Sequence, residues 1–259
     1  MGDLLAARPD RKARWRLFCF PHAGAGASAY RAWPERLRAA GVAVCPIRLP
    51  GRENRFGEPA HRAVEPLVRD LLDGGLAEEL DRPYALFGHS MGALVAFELV
   101  RAVHRLSGPL PVRLFVSGRI APQLADPRGR MHELDDAELL DRLARLGGIP
   151  QVVLADPDLM ALQLPLLRAD LAVNENYRCP PGPPLPVPIT AFGGARDPKV
   201  TGAELRGWAA QSSVGARTHL LPGGHFFVQE SMNELLRLVM SELLDPPDSA
   251  PTTIRSVAR

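Results

Sequence analysis

Short apolar runs alternate with longer amphipathic stretches along most of the chain. The short runs predict strands at 15–20, 42–49, 83–87, 112–117, 187–192 and 217–221. Between them, apolar residues recur at the spacing of a helix, which predicts helices at 29–40, 64–80, 93–105 and 229–244. Strands that alternate with helices are typical of a mostly parallel sheet with helices on both faces.

The alternation is interrupted between residues 118 and 186, a connection too long for an ordinary loop between two strands. The sequence D-D-A-E at 135–138 is typical of a capped helix start, and leucines follow it at helical spacing. The Asp-Pro pair at 156–157 predicts a second helix, with a kink at Pro165. We interpret residues 118–186 as a helical lid; the alternative is an insertion without a functional role.

The sheet domain is therefore predicted to comprise residues 14–117 and 187–245, with the lid inserted between them. Residues 246–259 are rich in Pro, Ser and Thr, which predicts a disordered tail. A chain of 259 residues, of which 46% are hydrophobic, is long and apolar enough to bury a large core.

Charge and cysteine content exclude several classes of partner. The formal net charge of +2 gives no reason to expect nucleic acid or an anionic membrane. No apolar run is long enough to span a membrane, and the N-terminus lacks the apolar segment of a secretory signal. Cys19 and Cys45 lie in predicted strands, where reduced core thiols are expected. We therefore expect a cytoplasmic monomer that needs no cofactor and no metal.

The pentapeptide Gly88-His89-Ser90-Met91-Gly92 joins a predicted strand to a predicted helix. In that context G-x-S-x-G holds a serine hydroxyl at a sharp turn above the sheet, where it can attack a carbonyl carbon. The two glycines permit a strained backbone and close packing of the helix on the strand. Ser90 is therefore the candidate nucleophile.

A serine hydroxyl needs a base, and in this architecture an acid and then a histidine follow it along the chain. His225 follows the last predicted strand on a glycine-containing loop and is the candidate base. Asp197 follows the preceding strand and would orient the imidazole of His225. Asp126 and Asp170, both inside the predicted lid, are alternative acids. His89 is expected to point away from the serine and support the turn.

The negatively charged oxygen that forms when serine attacks a carbonyl group needs preorganised hydrogen-bond donors. The backbone N–H of Met91, which follows the serine, is one candidate. The loop F-P-H-A-G-A-G at 20–26 follows the first strand, and its small residues let the backbone come close. Within this loop we predict the backbone N–H of Ala23 as the second donor.

The same loop permits a different interpretation. Residues 24–29 fit the dinucleotide-binding pattern G-x-G-x-x-A, and Arg48 near the end of the second strand would meet a 2′-phosphate. This hypothesis makes the protein an NADP-dependent oxidoreductase. It leaves Ser90, Asp197 and His225 without a role, and the acidic residue expected after the second strand is absent.

Five segments spread along the chain are distinctive in combination. They are F-C-F-P-H-A-G at 18–24, L-P-G-R-E at 49–53, G-H-S-M-G-A at 88–93, L-L-R-A-D at 166–170 and G-G-H-F-F at 223–227. In this order they resemble the freestanding type II thioesterases that accompany polyketide and non-ribosomal peptide synthases. The resemblance implies an α/β-hydrolase fold, with a mostly parallel central sheet, helices on both faces and an inserted helical lid.

The resemblance also implies a function. Such an enzyme hydrolyses acyl thioesters on the phosphopantetheine arm of acyl- or peptidyl-carrier protein domains, and so removes stalled or mis-primed chains from a synthase. The residues themselves leave open a general carboxylesterase or lipase on the same fold, or a binding module without catalysis, because a fold does not choose its substrate. Arg52 and Glu53 are expected to brace the loop after the second strand rather than to contact a carrier protein.

Overall fold

A computed structural model describes residues 4–7, 9–10, 12–124, 130–147 and 156–244, together with the backbone of 254–256. The strands in this part of the chain are β1 (Trp15–Phe20), β2 (Val42–Pro46), β3 (Tyr84–His89), β4 (Arg113–Ser117), β5 (Ile189–Gly194), β6 (Ala216–Leu221) and β7 (Ile254–Ser256). They form one parallel sheet in the order β2-β1-β3-β4-β5-β6-β7. The carboxyl ends of all these strands therefore meet at one edge of the sheet.

Helices alternate with the strands, as the apolar pattern predicts. They are α1 (Trp33–Arg38), α2 (Val64–Asp73), α3 (Met91–Arg105), α4 (Asp136–Leu146), α5 (Pro157–Glu175), α6 (Gly202–Arg206), α7 (Phe227–Glu230) and α8 (Met232–Leu244). Short 3-10 helices lie at Ala27–Tyr30, Glu53–Arg55, Leu76–Leu80, Met131–Glu133 and Gly207–Gln211. None of the helices described is long and apolar enough to cross a membrane.

Two apolar cores cover the two faces of the sheet, because side chains of successive strand residues point to opposite faces. Helices α2 and α3 pack on one face, where Leu86 of β3 lies in the same cluster as Leu94. Helices α1 and α8 pack on the other face, where Phe87 contributes beside Trp33 and Leu235. The three central strands β3, β4 and β5 are buried along their whole length. The architecture is the α/β-hydrolase fold that the resemblance implies.

Three of the predicted helices are shorter or divided in the structure, and Pro34 and Gly75 account for two of them. The helix predicted at 29–40 is a 3-10 turn followed by α1, which begins beside Pro34, a residue suited to the first turn of a helix. The helix predicted at 64–80 ends at Asp73, because Gly75 adopts a φ of 101°. The helix predicted at 229–244 is divided into α7 and α8.

Both helices predicted in the inserted segment are present and capped as expected. The Asp135 side chain accepts the Glu138 N–H at 2.9 Å at the start of α4, and Asp156 accepts the Asp158 N–H at 3.0 Å at the start of α5. The segment leaves the sheet at the carboxyl end of β4, which is the edge where β3 ends in His89. The kink at Pro165 and the function of this segment as a lid stay predictions.

The tail prediction is wrong for three residues. Residues 254–256 form β7, whose backbone pairs with β6 in the register Thr218↔Ile254. The edge of β6 otherwise presents unpaired backbone N–H and C=O groups, which any extended segment can satisfy. The rest of 246–259 lies outside the described residues, so disorder there stays a prediction.

Candidate active site

Ser90 lies in the turn between β3 and α3, with backbone angles of φ 54° and ψ −113°. A positive φ is rare for a residue with a side chain, and it is typical of a nucleophile held at a strand-to-helix turn. The Ser90 N–H donates to the Ser117 carbonyl at 2.7 Å, which ties the turn to β4. A Cβ added at Gly88 would collide with the Gly92 backbone, and one added at Gly92 with the Phe20 carbonyl. The predicted need for both glycines is confirmed.

Asp197 and His225, which the sequence predicts as acid and base, are hydrogen-bonded to each other. His225 Nδ1 lies 2.8 Å from Asp197 Oδ2, and because a carboxylate only accepts hydrogen bonds, Nδ1 carries the proton. The other oxygen of Asp197 accepts the Lys199 backbone N–H at 2.7 Å, and its side chain is fully covered. The His225 ring is therefore held with Nε2 available as a base.

His225 also packs against His89, the residue before the candidate nucleophile. The His225 ring centroid lies 5.3 Å from that of His89, the neighbour of Ser90. Among the hydrogen bonds of the described residues, none joins Ser90 Oγ to His225. In free enzymes such catalytic contacts often tighten only when substrate binds.

Two further imidazoles lie near His225: the ring of His89 packs against it, and the ring of His22 packs against His89. The His89 side chain is buried and its Nδ1 lies 2.9 Å from Ser117 Oγ, so it supports the turn as predicted. Burial lowers the pKa of His89 well below its ordinary value, and the nearby His225 and His22 add to the effect. Burial likewise lowers the pKa of His22 to about 4, helped by His225 and Arg52. Both rings are therefore neutral at physiological pH.

The two predicted oxyanion donors lie at the same edge of the sheet. Met91 is the first residue of α3, and the N–H groups of a helix's first turn have no partner inside the helix. Ala23 lies in the loop after β1, which pairs with β3 in the register Phe20↔Gly88. Both residues thus lie near the turn that holds Ser90, and their role as oxyanion donors stays a prediction.

A buried ion pair that the sequence does not predict connects this loop to α5. Arg52 Nη2 lies 2.7 Å from Asp170 Oδ1, and Arg52 Nη1 lies 2.8 Å from Asp170 Oδ2. The Gly24 N–H donates to the same Oδ2 at 2.7 Å. Asp170 therefore faces Arg52 and Gly24 rather than a histidine, so it is not the catalytic acid; Asp126 lies outside the described residues.

Glu53 occupies the place where the dinucleotide hypothesis puts a phosphate. Its carboxylate accepts the Ala27 N–H at 3.2 Å and the Ser28 N–H at 3.0 Å, at the start of the 3-10 helix that follows the glycines. A helix N-terminus that already holds a carboxylate does not bind a second anion. Arg48, assigned to a 2′-phosphate, instead donates to the Leu5 carbonyl at 3.1 Å. Arg52 braces its own loop through the Pro50 carbonyl, as predicted, and both Arg52 and Glu53 also join that loop to the one after β1. That neither residue contacts a carrier protein stays a prediction.

Apolar side chains of the inserted segment pack together and contact the loop after β1. This lid cluster consists of Met131, Leu139, Leu143, Met160, Leu164, Leu167 and Leu171, with Ala23 packed against it. The cluster places a deformable apolar surface beside the predicted oxyanion donor. Among the residues the structure describes, no group of three or more His, Cys, Asp or Glu side chains is arranged to hold a metal ion.

Comparison with known proteins gives a consistent assignment. The family described as "Thioesterase domain" matches residues 15–243. A chain named linear gramicidin dehydrogenase LgrE, from Brevibacillus parabrevis, is 40% identical over 243 residues, which cover 93% of this chain and 92% of that protein.

Solved structures extend the likeness to three dimensions. RedJ, a thioesterase of the prodiginine biosynthetic pathway in Streptomyces coelicolor, superposes with a TM-score of 0.84 at 40% identity, covering 92% of this chain and 89% of RedJ. BorB, the type II thioesterase of the borrelidin biosynthetic cluster, superposes with a TM-score of 0.83 at 35% identity, covering 94% of this chain and 99% of BorB. Both likenesses cover more than nine-tenths of this chain.

Proposed function

The chain belongs to the thioesterase family and is a thioester hydrolase, and from that premise we propose that it releases acyl groups from the phosphopantetheine arm of carrier proteins. The observation that carries the proposal is Ser90 at a strained elbow, on the same sheet edge as the hydrogen-bonded Asp197–His225 pair. Two similar proteins of solved structure, ClbQ and YbtT, come from combined non-ribosomal peptide and polyketide pathways. Removal of stalled or mis-primed chains from such a synthase is the role we propose.

The first half-reaction acylates Ser90. His225 Nε2 takes the hydroxyl proton while Ser90 Oγ attacks the thioester carbonyl carbon. The carbonyl oxygen becomes an oxyanion and accepts hydrogen bonds from the Met91 and Ala23 N–H groups. Collapse of this intermediate breaks the C–S bond, and the pantetheine sulfur leaves with the proton from His225. Asp197 stabilises the imidazolium while it exists.

The second half-reaction restores the enzyme. His225, neutral again, takes a proton from water as the water oxygen attacks the acyl-serine carbonyl carbon. Collapse of the second intermediate breaks the bond to Ser90 Oγ, and His225 returns the proton to that oxygen. The products are a free carboxylic acid and a carrier protein with a free thiol. Every step uses side chains and backbone N–H groups of this chain and water, so the proposal needs no cofactor and no metal.

The lid cluster would form the surface against which the acyl chain binds. Its Leu and Met side chains lie beside Ala23, so an acyl group extending from the oxyanion site would meet an apolar surface. The phosphopantetheine arm would then approach from the opposite side, carried by an acyl- or peptidyl-carrier domain. We propose that the protein acts as a monomer in the cytoplasm and without nucleic acid or membrane as partner.

A dinucleotide-dependent reaction, which the word dehydrogenase in the name of LgrE suggests, has no support in this chain. The glycine loop that would hold the pyrophosphate is capped by the carboxylate of Glu53. A general carboxylesterase or lipase remains the alternative, because the same three side chains would also cleave an oxygen ester.

The test compares leaving groups at a fixed acyl chain. The enzyme is given an acyl carrier protein, the matching N-acetylcysteamine thioester and the matching ethyl ester, and free acid is measured for each. We expect kcat/KM to be highest for the carrier protein by about tenfold or more, because a docked partner adds binding energy realised in the transition state. A preference for the ethyl ester would instead establish a general esterase.

A further inference from the structure

The buried carboxylate of Asp170 binds a backbone N–H group as well as the guanidinium of Arg52. It lies on α5, 2% exposed, and its partner Arg52 in the loop after β2 is 6% exposed. Arg52 also donates to the Ala25 carbonyl at 2.9 Å and to the Pro50 carbonyl at 3.2 Å. The ion pair thus joins three segments far apart in sequence: the loop after β1, the loop after β2, and α5.

The geometry of the carboxylate is asymmetric with respect to these partners. Oδ1 of Asp170 accepts one hydrogen bond, from Arg52 Nη2 at 2.7 Å. Oδ2 accepts two, from Arg52 Nη1 at 2.8 Å and from the Gly24 backbone N–H at 2.7 Å. Arg52 therefore fixes the orientation of the carboxylate, and the carboxylate in turn fixes the Gly24 peptide group.

The Gly24 N–H belongs to the peptide group that follows Ala23, so the bond to Asp170 restrains the backbone on one side of Ala23 and limits the directions open to the Ala23 N–H. Gly24 adopts a φ of 76°, which glycine allows and residues with a side chain rarely do. Leu167, one turn before Asp170 on α5, packs so closely on Gly24 that a Cβ there would collide with it. One face of α5 thus clamps the loop by a charged hydrogen bond and by packing.

We propose that Asp170, oriented by Arg52, is a positioning residue that holds the Ala23 N–H in place for the oxyanion. The inference rests on the proposed function, since it assigns a role within the same reaction. A hydrogen-bond donor contributes to catalysis only if it is already aimed at the oxygen where charge develops. Because the aiming carboxylate belongs to α5, displacement of this helix would misalign the donor.

Three variants separate the contact with Gly24 from the ion pair. Asp170→Asn keeps an oxygen that can accept from Gly24 but removes the charge that compensates Arg52. Asp170→Ala removes both. The double variant Arg52→Met/Asp170→Ala also lacks the acceptor but leaves no uncompensated buried charge, which favours folding. Glu242→Gln is the matched control, because Glu242 forms an equally buried pair with Arg113 at 3.0 Å on the α8 side of the sheet.

The readouts are kcat, KM and the inhibition constant of a trifluoromethyl ketone with the same acyl chain, which forms an oxyanion on Ser90. Asp170→Ala and the double variant should both lower kcat by about 30-fold, with KM changed less than about threefold. The inhibition constant of the ketone should rise by the same factor as kcat/KM falls, while that of the free acid product stays constant. Asp170→Asn should retain kcat within about fivefold of the wild type, and Glu242→Gln should leave all four quantities unchanged.

Different results would contradict the positioning role of Asp170 and the proposed function. Recovery of wild-type kcat in the double variant would show that the uncompensated charge of Arg52, and not the lost contact with Gly24, causes the defect. Equal losses in Asp170→Asn and Asp170→Ala would mean the same, and unchanged ketone affinity in Asp170→Ala would remove the positioning role. A wild-type enzyme that releases no acid from any thioester would overturn the proposed function itself.

Discussion

His22 shows how a half-buried imidazole beside His89 and Phe226 affects the stability of the whole protein. Its ring packs at 5.0 Å from Phe226, and burial lowers its pKa to about 4, helped by the charges of His225 and Arg52. In the unfolded chain the same imidazole titrates near its ordinary value of about 6.5. Between these two values the unfolded chain binds a proton that the folded protein does not. The contribution of His22 to stability is therefore complete above about pH 6.5 and is lost as the pH falls towards 4.

His22→Phe keeps an aromatic ring in this place and removes the titration. We expect the loss of unfolding free energy between pH 7 and pH 4.5 to be about 2 kcal/mol smaller in the variant than in the wild type. Urea unfolding at the two pH values measures it. His104→Phe, at an exposed position on α3, is the control and should leave the pH dependence as it is. An identical loss in His22→Phe and wild type would contradict the assignment.

Replacing Asp197 tests whether it fixes the tautomer of His225, that is, which ring nitrogen carries the proton. In Asp197→Asn the amide presents either an N–H or a carbonyl oxygen to His225 Nδ1, and an N–H there would place the proton on Nε2. We expect kcat to fall by about 10³-fold or more with little change in the melting temperature, as for the equivalent change in other serine hydrolases. Steady-state hydrolysis of an N-acetylcysteamine thioester measures it. Activity within about tenfold of the wild type would show that another group orients the base.

At the scale of elements, the elbow is the part of the site that sequence predicts best. A strand, a turn and a helix in direct succession need no long-range information, and Gly88 and Gly92 mark the turn. The contact of Arg52 with Asp170 could not be predicted in the same way. The two residues are 118 positions apart, and neither L-P-G-R-E nor L-L-R-A-D indicates by itself that its charged residue faces the other. The two residues meet only because α5 packs against the loops after β1 and β2 in the folded protein.

Gly92 tests how closely α3 approaches the loop after β1. A Cβ at this position would lie 2.8 Å from the Pro21 carbonyl oxygen and closer still to that of Phe20. We expect Gly92→Ala to lower the free energy of unfolding by about 2–4 kcal/mol, because backbone must move to accept it. Chemical denaturation provides the measurement.

Gly57→Ala is the matched control for Gly92→Ala, because a Cβ there would meet nothing within 4 Å. It should change stability by less than about 0.5 kcal/mol. If Gly92→Ala is as stable as Gly57→Ala, then helix α3 does not approach the loop as closely as the structure indicates.

At the scale of the whole molecule, periodicity predicts the sheet well and the insertion only in outline. The strands β1 to β6 lie within a few residues of their predicted positions, because their apolar runs are short and bounded by turn residues. Helix bounds were less predictable, since Pro34 lies in the first turn of α1, within the helix predicted at 29–40, and Gly75 follows the end of α2, although the apolar pattern continues past it. The pairing of 254–256 with β6 was missed altogether, because an edge strand needs few apolar residues to form its backbone hydrogen bonds.

The central claim is that Ser90 attacks a thioester presented by a carrier protein, and the masses of both proteins test it most directly. An acyl-phosphopantetheinyl carrier protein is incubated with the wild type or with Ser90→Ala, and both are followed by intact-mass spectrometry. We predict that the wild type converts the carrier to the free thiol. Ser90→Ala should keep its fold, leave the acyl carrier intact and gain no acyl mass. Deacylation of the carrier by Ser90→Ala at a rate near that of the wild type would contradict the account.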